Sequence, residues 1–259
     1  MLSRTDLAIE RKNDDKTDIS EEVKGEFIIT KIADKNGTHI TLTLPNLLFH
    51  GGIFNDAENL LSKEISSLLP KGDGLVLVVG LGNREITPDA IGPLALSKVI
   101  ATRHISKELA KQIDLPFLRS VAALAPSVLG TTGIEVAEIA CALKEVLKPK
   151  AIIAIDALCA ADIKRLGTTI QISNAGISPG SGVKNSRAEL SENTLGIPVV
   201  AVGFPTVIDA SGLFDTNEPF VVTPKDIDLL TDRAATLIGN SINIALQPET
   251  DAELLRALV

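Results

Sequence analysis

Between residues 55 and 247 the chain alternates between short, solid apolar runs and stretches in which apolar residues recur at helical spacing. Asn55 to Leu69 carries Leu60, Leu61, Ile65, Leu68 and Leu69 on one helical face, and Pro70-Lys71-Gly72-Asp73-Gly74 ends it. Leu75 to Val79 is then unbroken and rich in β-branched residues, the pattern of a strand buried on both faces of a parallel sheet. Phe117 to Leu124, Ala151 to Ile155, Thr168 to Ile172 and Val199 to Gly203 read the same way. Thr87-Pro88-Asp89 and Thr223-Pro224-Lys225-Asp226 each combine a capping hydroxyl, a proline and an acid, the signature of a helix start. Helices are therefore predicted from Pro88 to about Thr102 and from Ile227 to near Pro248, with another over Ile134 to Leu147. Strands alternating with helices predict an α/β fold, a mostly parallel sheet with helices on both faces.

The N-terminal part follows other rules. Phe27 to Ala33 and Thr38 to Leu44 alternate as two strands across Asp34-Lys35-Asn36-Gly37, so a small β-hairpin is expected at 27–44, at an edge of the fold or outside the main sheet. Residues 1–26 are dense in charge and read as a mobile, solvated arm, with 27–259 forming a single domain. Within the arm Thr5-Asp6-Leu7-Ala8-Ile9-Glu10 departs from that pattern, setting three apolar residues between acids.

Composition narrows the function. A net charge of −8 argues against a protein that grips nucleic acid through its phosphates. No apolar stretch approaches a membrane span, and the N-terminus lacks the apolar core of a signal peptide, so a cytoplasmic protein is expected. Trp and Tyr are absent, which leaves Ile, Leu, Val and Ala to fill the core. Cys141 and Cys159 lack metal-type spacing and read as small buried hydrophobes; no metal and no cofactor are expected.

Two acids stand out by position: Asp89 beyond the first main strand and Asp156 at the end of the Ala151 strand. Open α/β sheets place their ligands at the carboxyl ends of the strands, so the two can project into one crevice. One carboxylate can then take a proton from water while its protonated partner donates to an amide, with Asp89 cast as base and Asp156 as acid, or with one proton shared evenly. Each acid also has a purely structural reading, Asp89 as the first-turn acid of a helix and Asp156 as the cap of a turn. Supporting or substrate-binding roles fall to the loops that follow strands, at Asn83, at Gly130, Thr131 and Gly133 before a helix, and at Gly180, Ser181 and Gly182 in the irregular NAGISPGSG stretch. Ser181 has no His partner in context, so a serine hydrolase is not expected. Gly80-Leu81-Gly82 lacks the third glycine of a dinucleotide fingerprint.

The strings VVGLGN, TPDAIGP, ALAPSVLGTTGIE, AIDAL, TTIQIS, GISPGSGVKN, TLGIPVVAVGFPTVIDA and VTPKDID, in this order, resemble the germination proteases of spore-forming bacteria, the GPR endopeptidase family. The resemblance covers about residues 75 to 247. It implies a self-processing zymogen that degrades the small acid-soluble proteins of the spore core, assembles as a tetramer, and has a fold similar to that of hydrogenase-maturation proteases. The family's two proposed catalytic aspartates fall in the strings that here hold Asp89 and Asp156. Arg4 to Glu10 resembles the propeptide junction, which implies cleavage between Asp6 and Leu7. Departures are Ser178 where many members have His, Asn174 where Asp is common, and a short Phe214 to Val222 segment where members carry a long insertion. Two alternatives remain open: a metal-dependent peptidase of the maturation type, separable by chelation, and a non-catalytic sporulation protein that binds peptide or a small anion, separable by an intact N-terminus.

Overall fold

The computed structural model describes residues 5–11, 18–45, 47, 54–105, 108, 112, 118–180, 188–210 and 220–258. The chain first builds an antiparallel meander from β1 (Asp18–Lys24), β2 (Phe27–Asp34) and β3 (Gly37–Thr43). The Asp34 carboxylate closes the second turn by accepting the N–H groups of Asn36 (2.8 Å) and Gly37 (3.1 Å). Helix α1 (Phe54–Leu68) follows, then β4 (Val76–Gly80), α2 (Ile91–Leu96), β5 (Val121–Leu124), a short α3 (Leu129–Thr132) and α4 (Val136–Leu147). The remainder is β6 (Ala151–Ala160), β7 (Thr169–Ser173), α5 (Glu192–Leu195), β8 (Val199–Asp209), β9 (Val221–Val222), α6 (Ile227–Leu246) and α7 (Ala252–Ala257). Among the described residues no helix is long and apolar enough to cross a membrane.

The strands join in one sheet ordered β1-β2-β3-β7-β8-β6-β4-β5, with β9 on β8. The block β8-β6-β4-β5 is parallel, as expected for an α/β protein, and the meander extends it with antiparallel strands. Strand β7 is the join, since Ile172 pairs with Ile40 on one side and with Val202 on the other. Side chains alternate between the two faces along each strand. Val76, Val78, Ile153, Ile155 and Val202 pack under α1, α2 and α6, whereas Leu77, Val79, Ile152 and Ala154 pack on the other face with Ala140 of α4. Each fully buried side chain of this size contributes roughly 1.5–3 kcal/mol relative to exposure. Helix α7 is tied down by an ion pair in which Arg256 Nε (2.9 Å) and Nη2 (2.6 Å) donate to Glu58, whose side chain is only 2 % exposed.

Several elements differ from the sequence expectation. The helix predicted from Pro88 to Thr102 is a 3-10 turn, Thr87–Asp89, followed by only six residues of α2. Tertiary hydrogen bonds end it: Asn243 Oδ1 accepts the Ile100 N–H (2.9 Å), its Nδ2 donates to the Lys98 carbonyl (2.8 Å), and the N–H groups of Thr102 and Arg103 turn to Val121. Strands β6 and β8 run past their predicted ends at Ile155 and Gly203, because each supplies the other with a ladder that continues to Ala160 and Ile208. Asp156 is thus inside a strand rather than at its end. The predicted start of β5 at Phe117 lies outside the described residues.

The arm needs the largest correction. Far from being a mobile solvated tail, residues 18–24 form β1, and residues 5–11 lie against the sheet with Leu7 fully buried. Six of the seven β1 residues are exposed, so the strand shows no hydrophobic alternation to read; its place comes from the ladder to β2. The hairpin at 27–44 belongs to the main sheet, toward one edge of it.

Gly92 lies where α2 crosses the strand ends, and a Cβ there would stand 2.2 Å from the Leu81 carbonyl oxygen and 2.6 Å from that of Ile155. Gly92→Ala is expected to cost about 1–3 kcal/mol in urea unfolding. Gly130→Ala, where a Cβ meets open space, should leave the midpoint unchanged.

Candidate active site

The site forms because neighbouring strands have unequal lengths. Strand β4 stops at Gly80, opposite Ile155, while β6 and β8 continue side by side. One further hydrogen bond, from Leu81 N–H to the Ile155 carbonyl (2.8 Å), holds the departing chain before it doubles back. Gly82 permits the reversal: its φ is +104°, and a Cβ would stand 2.0 Å from the Asp89 carbonyl oxygen. The Thr87–Asp89 turn is thereby hooked over the end of β4. Asn83 N–H donates to Asp89 Oδ2 (2.7 Å), an interaction that favours the ionised carboxylate, and Asn83 Oδ1 accepts the Glu85 N–H (3.0 Å). From β8, the Thr206 hydroxyl donates to the Pro88 carbonyl (2.6 Å) and fixes the turn to the sheet.

Asp156 occupies the step left by the shorter strand and is 5 % exposed. Its Oδ1 accepts the Ala157 N–H (2.9 Å). Burial, then the negative charge of Asp89, with a smaller contribution from Asp6, hold its carboxyl well above the usual carboxylate range. A carboxyl group biased toward its protonated form and a carboxylate held by a main-chain N–H therefore line the same cavity.

The arm brings in the third carboxylate. Asp6 N–H donates to the Cys159 carbonyl (2.9 Å), and Asp6 Oδ2 accepts the Cys159 N–H (2.8 Å), just past the β6 bulge between Leu158 and Cys159. Leu7 packs with Leu158 and Ala160, flanked by Ile9, Ile177 and Ile208. Glu10 accepts the N–H groups of Ala161 (2.8 Å) and Asp162 (2.9 Å). Two cavities of about 430 and 370 Å³ meet at this point and share Asp6, Asp156, Ala157, Leu158 and Gly180. The larger also contains Asp89 and has walls from Leu81, Ile86, Val128, Val136 and Val207; the smaller is lined by His39, Gln171, Ser173 and Glu189. Burial lowers the His39 pKa, and its Nδ1 lies 2.9 Å from the Ser173 hydroxyl, so the ring is a neutral wall of the second cavity. Among the described residues no three His, Cys, Asp or Glu side chains converge as cation ligands.

Asp89, Asp156, Asp6 and Gly180 thus line one cavity, Leu7 is seated beside it, and Asn83 contributes through its main chain. Gly130, Thr131 and Gly133 do not join them: they are exposed, and the part of that loop reaching the cavity is Ser127, Val128 and Leu129. Gly133 instead ends α3 in the left-handed conformation, φ 72°. Ser181 and Gly182 lie outside the described residues. Cys159 is buried, and its thiol is pushed up to about 12, whereas Cys141 is exposed, contrary to expectation. Sequence reasoning missed Thr206 and Gln171. The second left a signal: in TTIQIS a single long polar side chain interrupts a strand of threonine and isoleucine.

The germination protease family model matches residues 3–220. The germination protease of Clostridium tetani is 36 % identical, with 98 % of this chain and 98 % of that protein aligned. That alignment runs over 317 positions against the 259 residues here, so the relative carries segments that this chain lacks. The germination protease of Caldanaerobacter subterraneus subsp. tengcongensis is 39 % identical over 95 % of this chain and 94 % of its own. That of Clostridium acetobutylicum is 39 % identical over 87 % and 82 %.

The Asp156 proton has a measurable consequence. The folded carboxyl keeps its proton to a higher pH than the unfolded one, so folding takes up a proton between the two values, and stability falls as pH rises through that window from about 4. Asp156→Asn removes the charge at equal shape. Its melting temperature should exceed that of the unsubstituted chain at pH 7, with the gap closing toward about pH 4. An equal gap at both pH values would mean that Asp156 is ionised in the fold.

Proposed function

The chain belongs to the germination protease family and is a peptidase, and from that premise we propose that it cleaves its own N-terminal arm between Asp6 and Leu7 and then the small acid-soluble proteins of the spore core, with Asp89 and Asp156 as the acid pair. The observation that carries this reading is the placement of a buried Asp156 and a hydrogen-bonded Asp89 in the same cavity as Asp6 of the arm. In the proposed reaction the Asp89 carboxylate takes a proton from a water molecule as its oxygen adds to the Asp6 carbonyl carbon. Asp156 gives its proton to the Leu7 nitrogen as the carbon–nitrogen bond breaks, leaving a carboxyl on Asp6 and an amine on Leu7.

The substrate class, the spore-core location and assembly as a homotetramer are proposed on the resemblance. The physical chemistry is compatible with that class. A chain of net charge −8 has little attraction for DNA but can act on proteins that DNA has released. An extended segment with an acid before the cut, a large apolar residue after it and a further acid downstream would find the contacts that Asp6, Leu7 and Glu10 make.

Incubation of the full chain should yield a species beginning at Leu7, seen by intact mass, and chelators should not prevent it. Asp89→Asn and Asp156→Asn should each slow this step and the cleavage of added spore protein by at least about 100-fold. The rate should fall as rising pH removes the Asp156 proton, at a pH above the ordinary carboxylate range. Unimpaired processing in either variant overturns the assignment.

A further inference from the structure

Gln171 lies in β7 between two isoleucines that belong to the main core, and it is 9 % exposed. Its carboxamide is spent on the arm and on nothing in its own strand: Oε1 accepts the Ala8 N–H at 2.6 Å, and Nε2 donates to the Asp6 carbonyl oxygen at 3.2 Å. A main-chain N–H can only donate, so the Ala8 contact fixes which end of the carboxamide is oxygen and leaves the nitrogen facing Asp6. The two bonds flank Leu7: one is made to the carbonyl of the Asp6–Leu7 peptide and the other to the N–H of the Leu7–Ala8 peptide.

The sheet register explains how a residue from another strand reaches this place. Asp156 pairs with Gly203, and Gly203 pairs with Gln171, so the three stand in one row across β6, β8 and β7 and share a face. The residue between them has no side chain. Two strand spacings separate Asp156 from Gln171, roughly 10 Å between main chains, and the Leu158 side chain lies over Gly203 between them, 2.4 Å from where a Cβ would stand. Gln171 is carried by a strand paired on both flanks and Asp156 by β6, paired at that point with β8, so neither depends on a loop for its position.

We infer that Gln171 is a catalytic residue of the peptidase: Nε2 is the donor from the sheet that stabilises negative charge on the carbonyl oxygen of the bond being cut, to which the arm's own Arg11 Nη2 also donates at 3.4 Å, while Oε1 registers the substrate by its N–H two residues downstream. This rests on the reading of Asp6–Leu7 as the cleaved bond. When water adds to the Asp6 carbonyl carbon, the carbonyl oxygen takes up the electron pair, and a donor already aimed at it needs no reorganisation. Both contacts are to main chain, so any peptide lying where the arm lies offers them whatever its side chains.

The test uses the full chain, after its own processing, on two synthetic peptides containing Thr-Asp-Leu-Ala-Ile-Glu. One is all-amide. The other carries lactate in place of Ala, which exchanges the downstream N–H for an ester oxygen and leaves the scissile amide intact. Gln171→Met should lower kcat on the amide peptide about 100-fold. The ester should lower kcat/KM about 10-fold for the unsubstituted enzyme and cause no further loss in Gln171→Met. Should Gln171→Met fail to fold, Gln171→Asn, which withdraws the carboxamide by one methylene, is read in the same way. A kcat within threefold of the unsubstituted enzyme, or an ester penalty equal in both, overturns the inference. If the unsubstituted chain cuts neither peptide nor its own arm, the failure lies with the proposed function. Hydrogen exchange at the Ala8 N–H then decides for Gln171 alone, since Gln171→Met should accelerate it and unchanged exchange overturns the clamp.

Discussion

A carboxyl group set inside a buried strand is the constraint on which the site depends. Ionised and unpaired, such a group would cost several kcal/mol to hold away from water. Burial instead pushes the Asp156 carboxyl well above the usual carboxylate range, which favours its protonated form, and the charges of Asp89 and Asp6 push the same way. The surrounding structure is consistent with a neutral acid. Strand β4 stops one residue short of it, which opens the step, and Gly82 and the Thr87–Asp89 turn bring the second carboxylate over that step with a main-chain N–H to hold its charge. The two acids thus differ in surroundings, one sunk in the sheet and the other on a hydrogen-bonded turn.

Much of this was legible in the sequence, and the parts that were not have physical reasons. The apolar runs at Leu75–Val79, Ala151–Ile155 and Val199–Gly203 announce strands covered on both faces, and an acid at the end of such a run marks the crevice. The run could not reveal that β6 and β8 continue, since an acid breaks a hydrophobic pattern without breaking a ladder. The helix after Pro88 has every local signal and is still cut short, because Asn243, far along the chain, supplies hydrogen bonds that compete with the helical ones. Gly130 to Gly133 shows the reverse error: a loop that suggests a supporting or substrate-binding role lies away from the cavity and turns the chain toward α4.

The arm was hardest to read because its meaning lies in partners that are remote in sequence. Dense charge suggests solvation, yet Asp6 and Glu10 spend their carboxylates on main-chain N–H groups of Cys159, Ala161 and Asp162, and Leu7 fills an apolar pit. Gln171 belongs to the same set. Its role is set by register, two strands away from Asp156, and no spacing along the chain encodes that distance.

The charged outer strand has a consequence for how copies of this molecule meet. A row of unpaired main-chain groups at the rim of a sheet is a template on which another chain can add a strand. Here one rim is β1, where Asp18, Glu21 and Glu22 outnumber Lys24, which is ion-paired with Glu22, so the strand carries net negative charge toward a second copy, and the other is β5, only four residues long. Net negative charge at one margin and brevity at the other discourage growth into fibrils.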